Sequence, residues 1–142
     1  DCYLLAEHLF YLQQTYWQSR YSISFPRLRP CAGGIEPASI MSEPQLVQLI
    51  CAFRLFAPDV ELSLSTRESP YFRDHMIPVA INSVSAGSKT QPGGYADDVP
   101  PELEQFEPHD GRTPQQVAEA ISNAGLQPVW KDWDGYLGRS TQ

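Results

Sequence analysis

With 142 residues, 42% of them apolar, the chain can bury one ordinary hydrophobic core, which excludes a disordered tail. A formal net charge of −7 and a pI near 4.8 exclude a nucleic-acid or anionic-membrane surface, because phosphate binding needs a clustered positive patch and Arg20, Arg27 and Arg29 are too few to make one. No run approaches the roughly twenty apolar residues of a membrane span, and the greasiest stretch, Leu46 to Ala57, is interrupted by Gln48 and Arg54.

The opening residues, starting at Asp1, read as the middle of a helix with no signal-peptide pattern, and they predict a piece of a longer protein. Leu5, Leu9, Leu12 and Tyr16 recur at helical spacing and predict a buried stripe on a first helix reaching about Ser19. Tyr21 to Phe25 alternates as a strand does, and Pro26 and Pro30 end it in a loop. Ser42-Glu43-Pro44-Gln45 has capping-box spacing, followed by Leu46, Leu49, Ile50, Phe53 and Phe56 on one helical side, and Pro58-Asp59 closes that helix.

Val60 to Ser65 is the second alternating stretch. Ser69-Pro70 opens a short helix with Phe72 and Met76 inward, which Pro78 cuts short, and Ser83 to Gly87 is the third strand. Pro92-Gly93-Gly94-Tyr95 and an acidic stretch to Asp110 read as an irregular excursion. Thr113-Pro114-Gln115-Gln116 begins the last helix, with a stripe of Val117, Ala120, Ile121 and Ala124 and with Gly125 at the left-handed C-terminal cap. Trp130, Trp133 and Tyr136 make a hydrophobic plug.

Strands alternating with helices imply right-handed parallel βαβ units, and the fold class is α/β. Three parallel strands alone leave two bare edges, so the chain is either an arc of a larger (β/α) barrel or a small three-layer α/β domain. Residues 1–95 form the barrel part and residues 96–142 a C-terminal extension with a loop, the last helix and the aromatic plug.

Period two puts Glu61, Ser63 and Ser65 opposite Val60, Leu62 and Leu64, with Ser22, Ser24, Ser83 and Ser85 repeating the hydroxyl pattern. A helix-covered face must be the apolar one, so the serines point into the barrel and imply a hollow, wet interior for a polar ligand. Arg67 continues the parity of Ser65 past the strand's C-terminal end, where barrel enzymes place active-site groups and where a guanidinium can hold a carboxylate bidentately. An ion pair of Arg67 with Glu61, Glu68 or Asp74 is the competing explanation. Arg27 and Arg29 occupy the matching loop after the first strand, and either can face in.

His8, His75 and His109 stand without a second ligand at metal spacing, and Asp97, Asp98, Glu102, Glu104 and Glu107 read as solvated. Gly93-Gly94 matches no full phosphate loop. Cys2, Cys31 and Cys51 are too dispersed for a disulfide framework or a zinc site and agree with a reducing, cytoplasmic setting. No metal ligand is assigned.

Together, Phe25-Pro26-Arg27-Leu28-Arg29-Pro30, Ser63-Leu64-Ser65-Thr66-Arg67-Glu68, Ser85-Ala86-Gly87-Ser88-Lys89-Thr90, Pro92-Gly93-Gly94-Tyr95 and Trp130-Lys131-Asp132-Trp133 resemble the 2-iminoacetate synthase family, the tyrosine lyases of thiamin biosynthesis. The resemblance implies that the chain supplies the C-terminal three strands and helices of a radical S-adenosylmethionine (SAM) TIM-type barrel, plus an extension. It implies S-adenosylmethionine and a 4Fe-4S cluster as cofactors, tyrosine as substrate, 2-iminoacetate (dehydroglycine) and p-cresol as products, and thiazole synthase as protein partner. By the same resemblance Arg67 takes the tyrosine carboxylate, Ser85 and Ser65 hold the substrate's polar groups, and Arg27 lines the mouth. The family's Cys-x-x-x-Cys-x-x-Cys run is missing here, so this chain by itself is expected to be inactive. The related hydrogenase-maturation tyrosine lyase, and a non-catalytic docking module using Asp97 to Asp110, are the alternatives.

Overall fold

A computed structural model describes residues 1–27, 39–89 and 108–130. Their elements follow in the order α1 (Cys2–Thr15), β1 (Ser22–Ser24), α2 (Glu43–Phe56), β2 (Glu61–Leu64), α3 (Pro70–Met76), β3 (Ser83–Val84) and α4 (Pro114–Asn123), the alternation the sequence predicts. The strands form one parallel sheet in the order β1-β2-β3. Register pairs Ser22 with Glu61, Ile23 with Leu62 and Ser24 with Ser63, then Ser63 with Ser83 and Leu64 with Val84. Partners in register share a face, so one side collects Ser22, Ser24, Glu61, Ser63 and Ser83 while the other carries Ile23, Leu62, Leu64 and Val84.

The apolar side is where the core lies. Leu62 and Leu64 are fully buried in one cluster with Leu46, Ile50 and Phe53 of α2 and Phe72 and Met76 of α3. Each such side chain contributes about 1.5–3 kcal/mol by leaving water. The hydroxyl side stays open: Ser22 and Ser24 are exposed and Glu61, Ser63 and Ser83 half-buried.

Local chemistry fixes where the helices start. At α2, Ser42 Oγ accepts the Gln45 N–H and Gln45 returns a bond to the Ser42 N–H, while α4 repeats the arrangement with Thr113 and Gln116. Ser69 Oγ accepts the Phe72 N–H at the head of α3. α4 ends on Gly125 at φ +78°, with its N–H on the Ser122 carbonyl and the Leu126 N–H on the Ile121 carbonyl, which together form a Schellman motif.

Arg54, near the end of α2, ties the opposite side of the sheet together. Its guanidinium donates to the carbonyls of Pro58 at 2.7 Å, Val60 at 3.0 Å and Ala80 at 2.8 Å, joining the turns that lead into β2 and β3. Asn82 extends the pairing of β3 by one residue, because its side-chain oxygen accepts the Leu62 N–H at 2.7 Å.

Three expectations change. The stripe on α1 is not buried: Leu9 is, but Leu5 and Tyr16 are 39% and 56% exposed, and the helix ends at Thr15. Helical spacing says which residues share a side, not that the side meets a partner. Phe56 and Ala124 likewise lie exposed at the ends of their stripes, and β3 stops at Val84, because the chain turns at Gly87, φ +63°, to meet the segment before α4. Cys31, Arg29, residues 92–107, Trp133 and Tyr136 lie outside the described residues.

Candidate functional site at the C-terminal rim of the sheet

Beyond Leu64 the alternation of β2 persists into the loop before α3. Thr66 and Glu68 are each 1% exposed, whereas Ser65 and Arg67 are half-buried. Ser65 Oγ accepts the Arg67 N–H at 3.3 Å, so the residue that opens the loop also pins its backbone two residues on. Arg67 is half-buried in the turn that follows β2, one residue from each of the buried pair Thr66 and Glu68.

The two buried residues are anchored from the helix side. Arg27, in the loop after β1, donates from Nε to Glu68 Oε1 at 2.9 Å and from Nη2 to Glu68 Oε2. It also donates to the Met41 carbonyl at 3.2 Å, lies 3.7 Å from Glu43 at the head of α2, and stands over the Phe72 ring with its centroid 5.8 Å away. The hydrogen bond to Glu68 is the main cause holding the Arg27 guanidinium above its ordinary pKa. Its side chain is 12% exposed, and its donors are engaged behind the rim. Arg27, expected to line the mouth, therefore holds the residue next to Arg67.

A second anchor lies behind Thr66, whose carbonyl accepts the N–H groups of His109 at 2.8 Å and Asp110 at 3.0 Å. The Asp110 carboxylate is fully buried. It pairs with Arg73 of α3, itself fully buried, and accepts from Arg112 Nη2 at 2.7 Å and Nε at 2.9 Å. Arg73 also donates to the Ser85 carbonyl, and Arg112 grips Asp74 at 2.9 and 3.0 Å.

Burial, the largest influence on Asp110, pushes its carboxyl up, but the bonds from Arg112 and the charge of Arg73 outweigh it and hold the group below the usual range. Desolvation pulls Arg73 down, while Asp110 and then Asp74 push Arg112 up. Two cations and two carboxylates balance, which is what permits charge at this depth.

Ser85 is exposed beyond β3, with its N–H on the Leu64 carbonyl at 3.1 Å. The register, extended by one residue, sets Ser65 beside Ser85 at the C-terminal ends of β2 and β3, and Arg67 follows in the turn after β2. Of the three carboxylates named beside Arg67 in the sequence, Glu61 accepts from Ser22 Oγ at 2.9 Å, Glu68 from Arg27 and Asp74 from Arg112. The sequence reading missed Arg73, Asp110 and Arg112. The signal available was Arg73 itself, a charge one position after Phe72 and three before Met76 in the stripe called inward, but its partner lies 37 residues away. Asp110, read only as the end of an irregular acidic excursion, is a fully buried ion-pair partner.

Among the described residues no group of three His, Cys, Asp or Glu could hold a metal ion, and Cys2 and Cys51 are free thiols on separate helices. These donors do not fit an iron–sulfur cluster. No helix among the described residues is long and apolar enough to cross a membrane.

A family model described as the Biotin and Thiamin Synthesis associated domain matches residues 24–127. Over all 142 residues the chain is 74% identical to the 2-iminoacetate synthase of Salmonella typhimurium (strain LT2) and 75% identical to that of Escherichia coli (strain K12). It covers 37% of each, so it spans little more than a third of the curated relatives it matches. Among solved structures, the crystal structure of HydG, a maturase of the FeFe-hydrogenase, matches 94% of this chain and 29% of its own at 32% identity with a TM-score of 0.79. The HydG of Carboxydothermus hydrogenoformans matches 86% of this chain and 28% of its own at 23% identity with a TM-score of 0.71, a likeness of fold alone.

Proposed function

The chain belongs to the Biotin and Thiamin Synthesis associated domain family, and from that premise we propose that it forms the C-terminal part of a 2-iminoacetate synthase, a radical S-adenosylmethionine lyase cleaving the Cα–Cβ bond of tyrosine to 2-iminoacetate and p-cresol for thiazole formation. One observation carries the reading: a parallel sheet whose open, serine-bearing side ends at a rim where Arg67 is held between two buried anchors. The identity of 74–75% to two such synthases supports it over the hydrogenase-maturation lyase, to whose kind the 32% match belongs.

In this reading Arg67 binds the tyrosine carboxylate through two parallel N–H···O bonds. The hydroxyls of Ser65 and Ser85 meet the polar groups around the Cα, and a small side chain at each position leaves room for the substrate. Arg27 acts through Glu68, fixing the loop from behind. The 4Fe-4S cluster and S-adenosylmethionine, which supply the radical chemistry, are held by the rest of the longer protein, since this chain's thiols do not fit a cluster. Residues 1–95 close a barrel with that remainder and residues 96–142 form the extension. Thiazole synthase is the partner that takes the product, and the free thiols agree with a cytoplasmic setting.

The test is Arg67→Ala in the complete, reconstituted enzyme. The KM for tyrosine should rise by the equivalent of about 2–4 kcal/mol, the loss of a charge-assisted carboxylate contact. An unchanged tyrosine dependence removes the assignment.

A further inference from the structure

The cluster of Arg73, Asp74, Asp110 and Arg112 has no part in the substrate contacts assigned above, yet it grips the main chain of two rim residues. Asp110 and His109 hold the Thr66 carbonyl, one residue before Arg67, and Arg73 holds the Ser85 carbonyl. The Arg73–Asp110 pair joins these two grips, and Arg112 braces the pair against Asp74 on the half-exposed side of α3. Position 66 follows β2 and position 85 follows β3, where the Ser85 N–H still reaches the Leu64 carbonyl, so the segment 108–112 adds a side-chain bridge between two neighbouring strand ends.

A buried ion pair adds little net stability over apolar residues of equal volume, so the charges are better explained by the geometry they impose. Misplacement of a binding group by about one ångström costs a reaction up to a hundredfold.

Resting on the reading of Arg67 as the carboxylate ligand, we propose that Asp110, Arg73 and Arg112 are positioning residues that set the distance between Arg67 and Ser85. The segment preceding α4 then governs how tyrosine is gripped without touching it.

The experiment is a double-mutant cycle in the complete, reconstituted enzyme: Arg67→Ala, Arg112→Gln and both together, with KM for tyrosine, KM for S-adenosylmethionine, kcat and the melting temperature read for each. Arg112 is chosen because its side chain is 20% exposed, whereas Arg73 and Asp110 are wholly enclosed. Arg112→Gln should raise the tyrosine KM roughly tenfold, the scale of coupling within a shared network, and leave the KM for S-adenosylmethionine unchanged. In the Arg67→Ala background that increment should vanish.

If Arg112→Gln melts too early to assay, Asp74→Asn, which loosens the same brace from a side chain 38% exposed, is read instead and should move KM the same way. A tyrosine KM unchanged in the brace variant, or an increment that survives intact without Arg67, overturns the positioning role while leaving the carboxylate assignment standing. Arg67→Ala with a wild-type tyrosine KM overturns both.

Discussion

Asp110 has the most unusual surroundings of any single side chain here, a carboxylate with no exposure between two guanidinium groups. Its folded pKa lies below the ordinary 3.8, so it contributes stability that is fully present above that value and is lost as pH falls through the depressed one. Asp110→Asn should therefore lower the free energy of urea unfolding at pH 7 by about 3–5 kcal/mol in the manner of a broken buried pair, with the gap narrowing as the pH is taken below 4. A gap that does not change with pH would show that the carboxylate's charge is not what matters. Nothing local marks this residue. A lone Asp before Gly111 in a polar stretch has the composition of a turn, and only the arrival of Arg73 from α3 makes it an interior residue.

Helix starts were the most legible elements, because a capping box is a chemical statement confined to four residues: Ser42 with Gln45 and Thr113 with Gln116 satisfy each other wherever the helix is later packed. Stripes were legible only in part, since Leu46, Ile50 and Phe53 found a sheet to cover them while Leu5 and Tyr16 did not. Strand parity was read correctly from alternation, but strand length was not, because a ladder ends where its neighbour turns away. The glycine that ends α4 gives a clean test. A Cβ at Gly125 would meet nothing within 4 Å, so Gly125→Ala carries only the torsional cost of φ +78°, about 1 kcal/mol. A Cβ at Gly87 would stand 3.2 Å from the Pro114 ring at φ +63°, so Gly87→Ala should lower the melting temperature further than Gly125→Ala. Equal losses would mean that the approach of Pro114 relaxes freely.

Across the molecule, the two sides of one sheet divide the labour. Leu62→Ala on the covered side should cost about 2–5 kcal/mol of stability, as buried leucines do. Ser63→Val, one residue on but facing the other way, should leave stability within about 0.5 kcal/mol while raising the tyrosine KM of the complete enzyme, because two methyl groups take the place of a hydroxyl on the wet side. Equal stability losses from both would contradict the division. The order β1-β2-β3 has a further consequence for the chain on its own. Among the described residues the outer flank of β1 and the outer flank of β3 each present main-chain amides and carbonyls that no other strand takes up, and both run in the same direction. Such rows recruit extended segments from any neighbour, so closing the strands into a ring protects the protein from adhesion between copies as much as it shapes a cavity.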